Sequence, residues 1–124
     1  MIEINMTGTR SYTVTENDTA QVLGSGTLPV LATPRLVAWL EETSWRLIAD
    51  KLSAGQSTVG GSMNLQHLAP TAVGREVTCY AKVMAQKGAK VVFSVWAMEG
   101  EQRIAEGEHV RFVVTDEKFL DKIR

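Results

Sequence analysis

Soft metal ligands and redox chemistry are nearly absent from this chain, which carries one cysteine and two histidines in 124 residues. A lone cysteine excludes an intrachain disulfide, and so small a set of Cys and His argues against a zinc site. Cys79 falls in the alternating run Val77, Cys79, Ala81, Val83 and reads as a buried structural thiol. An excess of charge is also missing. The 13 basic and 14 acidic side chains leave a net charge of -1, so no basic surface is available for a nucleic-acid backbone. Lys82, Lys87 and Lys90 form the one loose basic group and read as a solvated hairpin end. No apolar run approaches the roughly 20 residues of a membrane span. The opening Met1–Met6 lacks the basic and apolar regions of a secretory signal. These absences point to a cytoplasmic protein without nucleic acid, membrane or metal as partner, and with no separate cofactor.

What is present fits one domain over residues 1–124, at 44% hydrophobic and 22% charged residues. Residues 10–15 and 18–24 read as short strands around a turn at Asn17-Asp18. From Pro34 to about Leu52 the spacing turns helical, with Leu36, Val37, Leu40, Leu47 and Ile48 on one stripe. Thr33 suits the N-cap, Pro34 the first helical position, and Gly55 the stop. Strands are expected near 57–68, 75–86, 89–99 and 102–115, with turns at Lys87-Gly88 and Glu99-Gly100-Glu101. Asp116 then caps a short terminal helix. The class is α+β: one long helix covering a face of a curled antiparallel sheet. The sheet's other face is partly apolar and invites a second subunit.

Three residues carry acyl-transfer chemistry: Thr33, Glu41 and His67, a hydroxyl, a carboxylate and an imidazole. At roughly 100° per residue, Glu41 falls about 80° from the centre of the apolar stripe, whereas Glu42 lies nearly opposite. Glu41 is therefore a boundary carboxylate, and Glu42 reads as a solvated surface charge. Strand alternation puts Val59, Gly61, Met63, Leu65 and His67 on one face, turned toward the helix. Each of the three also has a structural reading: an N-cap, a boundary hydrogen bond and a core histidine. His109 and Arg111 alternate with Val110, Phe112 and Val114 and read as two solvated side chains, with Arg111 also able to hold a ligand phosphate or carboxylate. Trp39, Trp45 and Trp96 are packing or interface aromatics, since no basic groove accompanies them. Glu41 comes eight residues after Thr33, about 12 Å along the helix. That separation bars a direct bond within one subunit and predicts a site completed by two chains.

Taken in order, several segments resemble the hotdog-fold acyl-CoA thioesterases, in the branch similar to fluoroacetyl-CoA thioesterase. They are Ala32-Thr33-Pro34, Glu41, Ser57-Thr58-Val59-Gly60, His67-Leu68-Ala69 with Thr71 and Gly74, and Glu106-Gly107-Glu108-His109-Val110-Arg111. The resemblance implies a hotdog fold, a homodimer, and hydrolysis of a small or medium acyl thioester with coenzyme A or a pantetheine carrier as leaving group. It also implies that Thr33, Glu41 and His67 are catalytic, with Gly60 beside the acyl group and Arg111 near the ligand. Glu41 is then nucleophile or general base, and His67 a base and acid. Whether dimers pair into tetramers stays open. The fluoroacetyl-specific enzyme carries phenylalanines that gate its acyl pocket ahead of the helix. Here that stretch is Gly24-Ser25-Gly26-Thr27-Leu28, without an aromatic, which implies a more open or different pocket. A non-catalytic acyl-CoA-binding module and a hotdog hydratase or dehydratase are the alternative readings.

Overall fold

A computed structural model describes Met1–Arg124. Its elements run β1 (Thr7–Thr13), α1 (Ala20–Leu23), α2 (Thr33–Ile48), β2 (Gln56–His67), β3 (Glu76–Lys87), β4 (Lys90–Glu99), β5 (Gln102–Thr115) and α3 (Asp116–Asp121). The five strands form one antiparallel sheet in the order β1-β3-β4-β5-β2. Helix α2, extended by a 3-10 turn at Ala49–Lys51, lies against one face of that sheet.

The inward alternation on β3 and β4 is as expected: Val77, Cys79, Ala81, Val83 and Val91, Phe93, Val95, Ala97 are all buried. Leu36, Trp39, Leu40 and Ile48 of α2 close the core against them. Helix α2 also buries Thr43 and Ser44, whose hydroxyls donate to the carbonyls of Trp39 and Leu40 at 2.8 Å. Those bonds satisfy two polar groups that would otherwise be stranded in the core. Burial pushes the Cys79 thiol up to about 12, leaving it a packing residue.

Four local expectations are corrected. Residues 18–24 are not a strand: Thr19 caps the four-residue helix α1, which ends at Gly24 with φ 76°. Thr33 is not the N-cap; Ala32 occupies that place and Thr33 is the first helical residue. The helical path ends before Gly55, which serves the following turn with φ 81°. Asp116 is the first residue of α3 rather than its cap, and it accepts a hydrogen bond from the Ser57 hydroxyl.

Two β-bulges reset which residues face α2. In β2 the pairing shifts between Gly60, opposite Arg111, and Ser62, opposite Val110, so Gly61 is the extra residue. Val59 therefore does not share the face of Met63, Leu65 and His67, while Gly60 does. In β5, Arg103 pairs with Met98 and Ala105 with Ala97, leaving Ile104 inserted. The insertion turns His109 and Arg111 inward, at 1% and 6% exposure. The two are buried residues, and Phe112 is the exposed one.

Phe93 is fully buried at the centre of this arrangement. Phe93→Ala should lower the unfolding free energy by about 3–5 kcal/mol with an unchanged denaturant slope. A change near zero in urea unfolding would mean that Phe93 is not a core anchor.

Candidate active site

Helix α2 presents Thr33 at its first turn and Glu41 two turns later, and the sheet meets each with a different cluster. At the first, Thr33 Oγ1 and His67 Nδ1 share a hydrogen bond of 2.7 Å. The other ring nitrogen, Nε2, is buried without a hydrogen-bond partner. Burial lowers the His67 pKa from the usual 6.5, opposed more weakly by the Ala69 backbone, so the ring is a neutral base at pH 7. A cavity of about 340 Å³ opens here, lined by Ala20, Ser25, Val30, Thr33, His67 and Leu68 among others. Ser25, from the stretch without aromatics, is part of its wall.

At the second cluster, Arg111 reaches across from β5 and has four of its five N–H groups bound internally. Its Nε–H donates to Thr58 Oγ1 at 2.9 Å and Nη2 to the Thr58 carbonyl at 3.0 Å. Nη1 donates to His109 Nε2 at 3.1 Å and to Glu41 Oε2 at 3.4 Å. Burial lowers the pKa of this guanidinium while the Glu41 carboxylate opposes the shift, and it remains a cation. Glu41 is half-buried, its side chain 37% exposed against 7% for Arg111. Gly60 provides the space: a Cβ there would sit 2.5 Å from Glu41 Oε2. Only a residue without a side chain lets the carboxylate lie against the β2 backbone.

Glu42 is not a freely solvated charge. It accepts from the Tyr12 hydroxyl at 2.7 Å and from Arg46 Nε at 3.0 Å. The Tyr12 bond holds the Glu42 carboxyl below the usual carboxylate range, and Tyr12, mostly through burial, rises to about 12. Glu42 is thus tied to β1, and Glu41 faces the sheet cluster.

Thr33 and His67 are therefore brought together, as are Glu41, Gly60 and Arg111, but the two groups remain apart. Thr33 and Glu41 are about 12 Å apart along α2. Gly60 and His67 are separated by on the order of 20 Å along β2, at about 3.3 Å per residue. His109, Thr58 and Ser62 belong to the second cluster and were not among the expected site residues. The adjacent apolar pair Ile104-Ala105, both buried, is the sequence signal that reverses the β5 alternation and turns His109 inward.

Residues 14–117 match the family described as fluoroacetyl-CoA-specific thioesterase, FlK. The chain belongs to this family. It is 33% identical over 95 residues to the fluoroacetyl-CoA thioesterase of Streptantibioticus cattleyicolor, covering 77% of this chain and 68% of that relative. A FlK variant in complex with acetyl-CoA superposes with a TM-score of 0.92 at 26% identity, over 99% of this chain and 97% of that one. A thioesterase-superfamily protein of Thermus thermophilus shares the fold, with a TM-score of 0.93 at 24% identity over 100% and 92% of the two chains. The architecture is the hotdog fold, and the FlK family is one of thioester hydrolases.

Two expectations follow from the geometry. Gly60→Ala should displace the Glu41 carboxylate from its place against β2 and break its bond to Arg111, which a crystal structure of the variant would show. An unmoved carboxylate would show that Glu41 does not need this seat. Burial also lowers the His109 pKa from 6.5, as it does that of His67. The unfolded chain therefore binds more protons as pH falls below about 6.5, and stability declines through that window. Thermal midpoints should fall between about pH 7 and pH 5.5, and His109→Gln should flatten the decline. An equal decline in that variant would contradict the linkage.

Proposed function

We propose that this chain hydrolyses small or medium acyl thioesters of coenzyme A or a pantetheine carrier, at a site shared by two copies of the chain. The observation that carries the reading is the 2.7 Å Thr33–His67 hydrogen bond at the mouth of a cavity, with a seated carboxylate, Glu41, on the same helix but out of reach. Family membership supports the reaction class. A second copy provides the missing reach, because its Glu41 can approach the first copy's Thr33–His67 pair. Strand β2 is at the sheet edge, where the outward-pointing backbone groups of a 12-residue strand can pair with another chain.

The thioester carbonyl sits beside Thr33, whose helix start presents N–H groups to a developing oxyanion. If Glu41 attacks the acyl carbon, the tetrahedral intermediate expels the thiolate and water then hydrolyses the resulting anhydride on Glu41. If Glu41 instead takes a proton from water, the hydroxide adds to the carbonyl and the intermediate expels the thiolate to give the acid directly. His67, neutral at working pH, takes up and returns the proton and leaves the products as acid and free thiol. Gly60 keeps the acyl side open next to Glu41. Arg111, engaged inside the protein, fixes the carboxylate and so faces the ligand through it. The small residues ahead of α2 leave the acyl pocket wider than a phenylalanine gate would, which favours acyl groups other than fluoroacetyl.

Thiol release from a series of acyl-CoAs tests the reaction, and it should drop at least about 100-fold in His67→Ala. Tight binding without release would favour an acyl-CoA-binding module, and loss of an acyl double bond without free thiol a hydratase. Mixing Thr33→Ala with Glu41→Ala subunits tests the shared site. Heterodimers should regain a substantial part of wild-type turnover, and verified heterodimers without activity would overturn it.

A further inference from the structure

The buried His109 has no part in the chemistry described so far, yet its hydrogen bonds leave it one protonation state. Its Nδ1 is 2.7 Å from the Ser62 carbonyl, which can only accept, so Nδ1 carries the proton. Its Nε2 is 3.1 Å from Arg111 Nη1, which can only donate, so Nε2 carries the lone pair. The ring is 1% exposed and packs beside Phe93, with ring centroids 6.0 Å apart. Water and substrate cannot reach it. The charged groups facing it are Arg111 from its own strand and Glu41 from α2, the latter 4.0 Å away.

Nη1 of Arg111 divides its two protons between His109 and Glu41 Oε2. Thr58 holds the Nε and Nη2 edge of the guanidinium, and the acceptor on His109 holds the Nη1 end that presents a proton to the carboxylate. Ser62, on the far side of the Gly61 bulge, sets the ring. We infer that His109 is a positioning residue for thioester hydrolysis: as a neutral acceptor it aims Arg111, and through Arg111 it holds Glu41 at the reacting carbon. The inference rests on the role given to Glu41 above. A protonated His109 would turn an N–H toward Arg111 and break the arrangement.

Two substitutions separate the bonds. His109→Gln carries its amide oxygen near the place of Nε2 and can accept from Arg111. His109→Asn carries its amide near the place of Nδ1, where it can donate to Ser62 but offers Arg111 nothing. The Gln variant should keep kcat within about threefold of wild type, whereas Asn should lower it at least about tenfold with KM little changed, the signature of lost alignment at the reacting atoms. Equal losses in the two, or better activity in Asn, would overturn the inference and leave His109 a structural tie to the bulge. Histidine ¹⁵N spectra of the wild-type protein provide a reading that no folding defect can obscure. They should show His109 as the neutral Nδ1–H tautomer, and an Nε2–H tautomer would overturn the inference equally. Glu41→Gln serves as the control: thiol release unchanged there would count against the catalytic role of Glu41 rather than against the aiming of Arg111.

Discussion

A guanidinium buried on the inner face of a sheet must have its N–H groups answered, because an unpaired buried cation costs several kcal/mol. Arg111 is that group, and much of the site follows from satisfying it. Thr58 of β2 supplies a hydroxyl and a carbonyl, His109 supplies a ring nitrogen, and Glu41 supplies the countercharge from the helix layer. Gly60 lacks the Cβ that would occupy the carboxylate's place. Helix α2, the interior strand β5 and the edge strand β2 are thus joined at one ion. Such a pair adds little net stability, since desolvation offsets attraction, but it fixes position. The burial is one-sided: the cation is dry while the carboxylate is over a third exposed. A carboxylate held from behind and open in front is suited to act on a molecule arriving from outside.

The Thr33–His67 pair answers to a different constraint. Its two members meet because the start of α2 lies over the end of β2, and the hydroxyl there bonds an imidazole rather than capping the helix. Both the rise of the helix and the length of β2 keep this pair from Glu41. Fold and reaction class are common to the FlK family. Two features of this chain bear on its site: the aromatic-free approach to the pocket and the locked ring of His109. The first bears on which acyl group is accepted, the second on how firmly the carboxylate is aimed.

The strong periodicities were readable in advance. Helix α2, the inward faces of β3 and β4 over Val77–Val83 and Val91–Ala97, and the chain order of the last four strands follow from apolar spacing that runs unbroken up to the register shift after Val83. The failures have physical causes. Residues 18–24 alternate like a strand, but the Thr19 cap and the left-handed Gly24 make a single helical turn more favourable. Alternation misplaced Val59 and Gly60 because the Gly61 bulge shifts the phase, and it misplaced His109 and Arg111 because the apolar Val110, Phe112 and Val114 were given the inner face that the polar pair in fact occupies. In β2 one inserted residue reverses every side chain beyond it. A buried arginine also runs against the ordinary expectation for charge, and only its partners, distant in sequence, reveal why it is tolerated. Thr33, Glu41 and His67 stood out because few other residues carry comparable chemistry. Their division into two clusters became visible only in three dimensions.

The central claim is that one reacting acyl group is served by two copies of the chain. A crystal structure with a non-hydrolysable acyl-CoA, its thioester sulfur replaced by a methylene group, tests this directly. The account predicts the analogue's carbonyl within hydrogen-bonding distance of Thr33 and His67 of one protomer, with the partner's Glu41 carboxylate next to the carbonyl carbon. A carbonyl held by Glu41 and His67 of the same chain, or bound remote from both clusters, would contradict it.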